Sequence, residues 1–158
     1  MQLRIDHAQS TDAPVIAQMV GELLHEIMDS IGTKAFSVDR EATEARARSW
    51  INDGTYIVLV ARDAAQPEPL GFLALYECYA LYAEGSFGTI PELFVRPAYR
   101  SSGVGATLIS EAQGVGQARG WSRIEVTTPP LPQFDRTLAF YQQQGFSISG
   151  GRKLKIDL

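Results

Sequence analysis

The sequence predicts a mixed α/β fold, with residues 1–158 forming a single domain. Its length of 158 residues suits one domain with a sizeable core. Apolar runs of strand length alternate with stretches that carry apolar residues at helical spacing. No linker, internal repeat or low-complexity tract interrupts this alternation. The predicted order is one strand, two helices, three strands, a helix, a strand, a helix and two final strands, which is typical of a mixed α/β domain.

The first part of the chain predicts a strand, two helices and a second strand. Residues 2–8 form the first strand, and Thr11–Pro14 begins a helix because it combines a capping residue with an early proline. This helix continues to about Ser30 through apolar residues at helical spacing. A more polar helix is expected over residues 39–51, and an apolar strand over residues 56–61.

The middle of the chain predicts two strands and the longest remaining helix. Residues 70–79 form the third strand, residues 85–88 a glycine-containing loop, and residues 89–96 the fourth strand. The helix runs from Gly103 to Arg119, although two internal glycines weaken it by about 1 kcal/mol each.

The last part of the chain predicts a short strand, a helix and a hairpin. The fifth strand covers residues 123–127, and a stiff proline-rich connector leads to a helix over residues 134–144. Two further strands, residues 146–149 and 152–158, are expected around a tight turn at Gly150 and Gly151.

Composition excludes several classes of protein. The formal net charge of −4 argues against nucleic acid as the main partner. The single cysteine, Cys78, cannot form an internal disulfide and fits the reducing cytoplasm. Neither a secretory signal nor an apolar run of the roughly 20 residues that span a bilayer is visible, so we expect a cytoplasmic protein without a membrane partner. His7 and His25 lack partners at metal-ligand spacing, and no metal is expected.

A glycine-containing segment after the fourth strand carries most of the functional information. Arg100-Ser-Ser-Gly103-Val-Gly105 opens a helix, and free N–H groups at a helix start bind anions such as phosphate. The segment matches a dinucleotide-binding fingerprint only in part, because Leu108 occupies the position of the third glycine. A triphosphate loop needs a lysine, and none occurs between residues 35 and 152. A plain helix start after a surface loop is the third interpretation.

A second segment, near the C-terminus, helps to interpret the glycine-containing segment. Ala139-Phe-Tyr-Gln-Gln-Gln-Gly-Phe146 follows a strand, and together the two segments resemble the GNAT superfamily of N-acetyltransferases, which use acetyl-coenzyme A. That family has an Arg/Gln-x-x-Gly-x-Gly/Ala loop after its fourth strand and a Tyr-x-x-x-Gly-Phe sequence on a late helix. The resemblance covers nearly the whole chain, because the order of strands and helices also fits.

The resemblance implies a coenzyme site with a defined geometry. The sheet should be mainly antiparallel and twisted, with helices on both sides, and its fourth and fifth strands should run parallel and splay apart to admit the pantetheine arm. Main-chain groups around Phe94 should bond the arm, and amides of the loop should hold the pyrophosphate. The residues implied in these contacts are Phe94, Val95, Arg100, Ser101, Ser102, Gly103, Val104, Gly105 and Ala106.

The family pattern is incomplete in three places. Many relatives have an asparagine seven positions before the tyrosine, where this chain has Phe134. Many also carry a carboxylate nine positions before the loop arginine, where this chain has Pro91 with Glu92 next to it. Three prolines within residues 129–132 also crowd the connector after the fifth strand.

Three side chains are candidates for catalysis. Tyr141 is placed by the resemblance to protonate the departing thiolate, and the alternative is an aromatic packing residue beside Phe140 and Phe146. Glu92 and Glu125 lie among apolar strand residues and are candidates for the base that deprotonates the amine. For both carboxylates the alternative is an ion pair with Arg96, Arg123 or another basic residue.

The resulting functional prediction is transfer of an acetyl group from acetyl-coenzyme A to a primary amine of a small molecule or peptide by direct attack. A non-catalytic coenzyme-binding or regulatory module and a dinucleotide-binding domain are the alternatives, and a homodimer stays open. Acceptor specificity is expected in residues 29–38, 77–87 and 129–134. Tyr76, Tyr79, Tyr82 and Phe87 could line a pocket for a cationic amine, or could simply combine core packing with a solvated edge.

Overall fold

The computed structural model describes all 158 residues and contains six strands and four α-helices. The strands are β1 (Leu3–His7), β2 (Ile57–Asp63), β3 (Gly71–Ala80), β4 (Gly85–Ile90), β5 (Leu93–Val95) and β6 (Ile124–Val126). The helices are α1 (Ala13–Ile31), α2 (Arg40–Asp53), α3 (Val104–Arg119) and α4 (Asp135–Gln143). None of the helices is both long and apolar enough to cross a membrane.

The strands form one mixed sheet with the order β1-β2-β3-β4-β6. β5 pairs with β3 on the same edge as β4, further along that strand. All neighbours are antiparallel except β4 and β6, which run parallel. This confirms the predicted mainly antiparallel sheet and the parallel direction of the fourth and fifth predicted strands.

Helices cover the sheet on two faces, because successive strand residues point to opposite sides. On the back face, Leu59, Leu73 and Leu75 pack in one buried cluster with residues of α3 and α4. On the front face, residues such as Val60 and Phe72 pack with α1. Burial on both faces explains why β2 and β3 are nearly continuous apolar runs.

A β-bulge divides the fourth predicted strand into β4 and β5. Tyr76 opposes Thr89 and Leu73 opposes Leu93, so two residues of β3 face the three residues 90–92. Pro91 has no N–H to donate to the ladder, which favours an interruption at this point. The bulge places Glu92 on the front face, the side of its partner Ala74.

The same bulge opens a gap in the sheet. Pairing between β4 and β6 is limited to residues 88–90 and 124–126. After the bulge β5 pairs only with β3, so its other edge faces a gap towards the end of β6. The predicted splay between these strands is therefore present.

Residues 85–88, which the sequence predicts to be a loop, lie in β4 instead. The glycine at position 88 is a packing requirement: a β-carbon there would lie 2.3 Å from the Trp121 ring. Glycine inside a strand thus marks the close approach of a side chain here, not the end of a strand.

The two C-terminal strands predicted over residues 146–149 and 152–158 are absent. No backbone–backbone hydrogen bond involves residues 147–158. Leu154 and Ile156 are 90% and 84% exposed, so the segment lacks the apolar contacts that a hairpin needs for stability. Residues 152–158 do alternate between apolar and polar side chains, but the apolar side chains pack against no other part of the protein.

Candidate active site

The turn between β5 and α3 presents a row of free amides. Left-handed backbone at Ser101 (φ 61°) and Gly103 (φ 88°) turns the chain into α3. The N–H groups of residues 101–106 have no acceptor within the chain, because the first helical bond is from the Thr107 amide to the Gly103 carbonyl. Six unpaired donors at the positive end of a 16-residue helix form a site for an anion.

The two loop glycines have different physical roles. Gly103 has open space around its missing β-carbon and is needed for its positive φ. At Gly105 a β-carbon would lie 3.0 Å from the Phe140 Cζ atom, so this glycine lets α4 approach α3. The first glycine therefore serves the backbone conformation of the loop, and the second serves the packing of two helices.

Arg100 is engaged within the protein by its side chain and its amide. Its guanidinium forms two hydrogen bonds with the Glu26 carboxylate at 2.7 and 2.9 Å, and its Nε donates to the Val95 carbonyl at 2.7 Å. Its amide donates to the Pro97 carbonyl at 3.3 Å. The free donors of the loop therefore begin at Ser101, because the Arg100 amide already has an acceptor within the protein.

Main-chain groups of β5 line one side of the gap. Glu92 and Arg96 bond to β3 through their main chains, and the alternation of an antiparallel ladder turns Phe94 the same way. The main-chain groups of Leu93 and Val95 face the gap instead. The main-chain groups of Phe94, named from the sequence, therefore face β3, and those of Leu93, which the sequence did not single out, face the gap.

Tyr141 lies on the back face in the same buried cluster as Ile90, the last residue of β4 before the gap. Its ring is 6% exposed and makes edge contacts with Phe140 and Phe146 at 5.4 and 5.5 Å. Its hydroxyl makes no hydrogen bond within the protein, and burial raises the pKa of the phenol. The hydroxyl therefore stays protonated at neutral pH and is free to donate.

Glu92 is a partly buried carboxylate without a basic partner. Burial raises its pKa to about 7, while a hydrogen bond from the Tyr56 hydroxyl, 3.3 and 3.4 Å from the two carboxylate oxygens, opposes this rise. The expected alternative, an ion pair with Arg96, is wrong because Arg96 binds Glu22 at 3.1 Å. A carboxylate with a pKa near neutrality can accept a proton under working conditions.

Glu125 has the opposite environment. Its carboxylate pairs with Arg123 at 2.6 Å and its side chain is 46% exposed. Arg123 also stacks over the Phe87 ring at 4.3 Å. The ion-pair alternative is confirmed for this residue, so the two candidate carboxylates are not equivalent.

An aromatic cavity of about 400 Å³ opens at the edge of the sheet, between the end of α2 and the free edge of β3. Trp50, Tyr56 and Tyr76 form its wall, with ring centroids 5.0 and 6.1 Å apart. Tyr79 also lines it, whereas Phe87 is buried within the sheet layer. Trp50 and Tyr56 were not singled out from the sequence, because they precede β2 and meet Tyr76 only in the folded chain.

No group of three or more histidine, cysteine, aspartate or glutamate side chains is arranged to hold a metal ion. The site therefore combines three features: main-chain donors, the gap between β5 and β6, and two titratable side chains, Glu92 on the front face and Tyr141 on the back face.

Comparison with known proteins gives one family match. The model of a family described as acetyltransferase (GNAT) matches residues 24–146. No curated protein matches the sequence significantly.

Several solved structures share the fold. An aminoglycoside acetyltransferase from an uncultured soil metagenomic sample, in complex with sisomicin, is 21% identical, with 99% of this chain and 96% of that chain covered and a TM-score of 0.75. A ribosomal-protein-alanine N-acetyltransferase from Brucella melitensis biovar Abortus 2308 is 18% identical over 100% of both chains, with a TM-score of 0.75. An integron cassette protein from the mobile metagenome of Cole Harbour Salt Marsh is 20% identical over 98% and 90%, with a TM-score of 0.79.

Proposed function

The chain belongs to the acetyltransferase (GNAT) family, and we propose that it transfers an acetyl group from acetyl-coenzyme A to a primary amine. The acceptor is a small molecule or a peptide, and its nitrogen attacks the thioester directly. The observation that carries this proposal is the row of free amides over residues 101–106, next to a gap in the sheet.

The coenzyme is proposed to bind by its phosphates and its arm. The pyrophosphate accepts hydrogen bonds from the amides of residues 101–106, where the helix dipole also favours negative charge. The pantetheine arm enters the gap and bonds Leu93 and Val95 as an added strand would. The Val95 carbonyl is held by Arg100 in the free protein, so binding has to release that contact or use the Val95 N–H.

Glu92 is proposed to be the base. An alkylamine has a pKa near that of lysine, about 10.4, and is protonated at neutral pH, so it must lose a proton before it can attack. Glu92 lies in the bulge beside the gap, on the front face, with a pKa of about 7. Glu125 is the weaker candidate because Arg123 already neutralises it.

Tyr141 is proposed to be the acid. As the amine nitrogen bonds to the thioester carbon, the carbonyl oxygen becomes an oxyanion, for which the Leu93 N–H is a suitably placed donor. The carbon–sulfur bond then breaks, and the tyrosine hydroxyl gives its proton to the thiolate. A phenol that burial keeps protonated is in the correct form for this step.

The acceptor is proposed to approach from the front face, where Glu92 contacts Tyr56, a residue of the cavity wall. One solved structure of this fold is an aminoglycoside acetyltransferase with sisomicin bound, and another is a ribosomal-protein-alanine N-acetyltransferase. These activities define the two acceptor classes to test first, small polyamines and peptide N-termini.

The test is turnover of acetyl-coenzyme A with a panel of small amines, aminoglycosides, amino acids and peptides, followed as free thiol and as acetylated product by mass spectrometry. Glu92→Gln should lower kcat/KM by about 10² to 10⁴, and Glu125→Gln, the matched control, should leave it nearly unchanged. If no amine is acetylated while calorimetry shows coenzyme binding, the protein is a coenzyme-binding module and the proposed reaction is wrong.

A further inference from the structure

The bulge carboxylate has one close polar neighbour, and that neighbour belongs to a distant part of the chain. We infer that Tyr56 is a positioning residue, which fixes the orientation of the Glu92 carboxylate on the front face through its hydroxyl group. The inference rests on the proposed function, because it gives Tyr56 a role in the reaction only through Glu92.

The contact is bifurcated and joins two different elements. The Tyr56 hydroxyl lies 3.3 Å from one Glu92 carboxylate oxygen and 3.4 Å from the other. Tyr56 stands just before β2, 36 positions away from the bulge. Because the two distances are nearly equal, the single hydroxyl proton is shared between both oxygens of the carboxylate.

The tyrosine is itself held in place. Its ring stacks on Tyr76 with 7° between the planes and makes a tilted contact with Trp50 at 5.0 Å. Its amide donates to the Trp50 carbonyl at 3.1 Å. Because ring and main chain are both fixed, the hydroxyl is a preorganised donor and not a mobile surface group.

No other charged group takes over this function. Arg96, from the end of β5, is engaged by Glu22 of α1. Arg123, beside β6, is engaged by Glu125. The other titratable groups on this face of β3 are Tyr76, stacked on Tyr56, and Cys78, 3.1 Å from the Thr89 hydroxyl.

The protonation states agree with this geometry. Burial and the neighbouring Glu92 raise the pKa of Tyr56, so the tyrosine remains a donor over the whole working range. The hydrogen bond lowers the pKa of Glu92 against the effect of burial. Without the hydroxyl, we expect less of the carboxylate to be ionised at neutral pH.

The experiment compares the wild-type protein with Tyr56→Phe and with Tyr76→Phe as the matched control. The control removes a hydroxyl from the same aromatic stack without touching Glu92. The Glu92 pKa is measured by NMR titration of ¹³C-labelled glutamate side chains, with Glu92→Gln to assign the signal. Tyr56→Phe should raise the Glu92 pKa by about one unit, and Tyr76→Phe should leave it unchanged.

The kinetic counterpart is the pH profile of kcat/KM. In Tyr56→Phe the acid limb should move up by about one pH unit, so that activity at about pH 7, the Glu92 pKa in the wild type, falls about fivefold and largely recovers in alkaline solution. A purely structural role for Tyr56 would lower activity or melting temperature without moving this limb.

The inference is overturned if Glu92 titrates at the same pH in Tyr56→Phe as in the wild type. If Tyr56→Phe does not fold, Tyr56→3-fluorotyrosine replaces it: the more acidic donor should lower the Glu92 pKa, and an unchanged value has the same meaning. Failure of the proposed function is separate. Full activity of Glu92→Gln would remove the base, whereas the NMR titration tests the Tyr56 contact without any turnover.

Discussion

Replacing Glu92 with glutamine should stabilise the protein at neutral and alkaline pH. In the folded protein burial raises the pKa of this carboxyl from its ordinary value of 4.5 to about 7. Between these two values the folded state holds a proton that the unfolded chain has lost. Unfolding therefore releases a proton, and the contribution of this group to stability falls as the pH rises through the window.

The magnitude follows from the size of the change in pKa. A rise of about 2.5 units at about 1.4 kcal/mol per unit corresponds to a penalty of ~3 kcal/mol. The penalty is absent below pH 4.5 and complete above about pH 7. Glutamine cannot ionise, so Glu92→Gln avoids it. Since natural domains unfold with about 5–15 kcal/mol, a difference of this size is readily measured.

The assay is urea unfolding, followed by circular dichroism, of the wild type and Glu92→Gln at a series of pH values from about 4 to 8. The difference in unfolding free energy between the two proteins isolates this group from the other carboxylates, which titrate in both. The difference should grow in favour of the variant across the window. Glu125→Gln is the control and should give a nearly flat difference, because an exposed ion pair contributes at most about 1 kcal/mol.

Two results would refute this reasoning. Parallel curves for the wild type and Glu92→Gln would mean that the carboxyl is not desolvated in the folded state. A variant that loses stability as the pH rises would mean that the carboxylate, once ionised, is stabilised by a partner. The expected combination of higher stability and lower activity would mark Glu92 as a group kept for function at the expense of the fold.

The other predictions concern the acid, the helix packing and the loop brace. Tyr141→Phe should lower kcat by about 10² with little change in melting temperature, because the ring keeps its contacts; wild-type kcat would end the acid assignment. Gly105→Ala should lower the free energy of unfolding by about 1–2 kcal/mol, because its β-carbon crowds the Phe140 ring at 3.0 Å, and Phe140→Leu in the same protein should restore it. An unchanged urea midpoint in the single variant would contradict this packing. Glu26→Gln should weaken coenzyme binding by calorimetry about threefold, since it loosens Arg100 and its loop, while stability changes by less than about 1 kcal/mol; unchanged affinity would show that the brace is not needed.

Local signals in the sequence were sufficient for most of the secondary structure. Glycines end α1, α2 and α3 in left-handed conformation at Gly32, Gly54 and Gly120, as a residue without a β-carbon allows. Helical spacing of apolar residues predicted α1 within one or two residues of its ends. These signals are readable because each acts within a few residues along the chain.

Predictions from local sequence patterns were wrong where tertiary contacts decided the structure. Residues 85–88 have the composition of a loop but form a strand, because Trp121 fills the space over Gly88. Residues 152–158 have the alternation of a strand but pair with nothing. In both cases a partner far away in the sequence, present or missing, decided the structure.

The sequence by itself determined the family resemblance, the order of elements as far as α4 and the position of the glycine-containing loop before α3, since these depend on short motifs and local periodicity. The tertiary structure decided which residues are free to act. Arg100 pairs with Glu26, 74 positions away, and Glu92 is partly buried against Tyr56, 36 positions away. Burial and hydrogen-bond partners set the pKa and the availability of a side chain, and both are properties of contacts that exist only after the chain has folded.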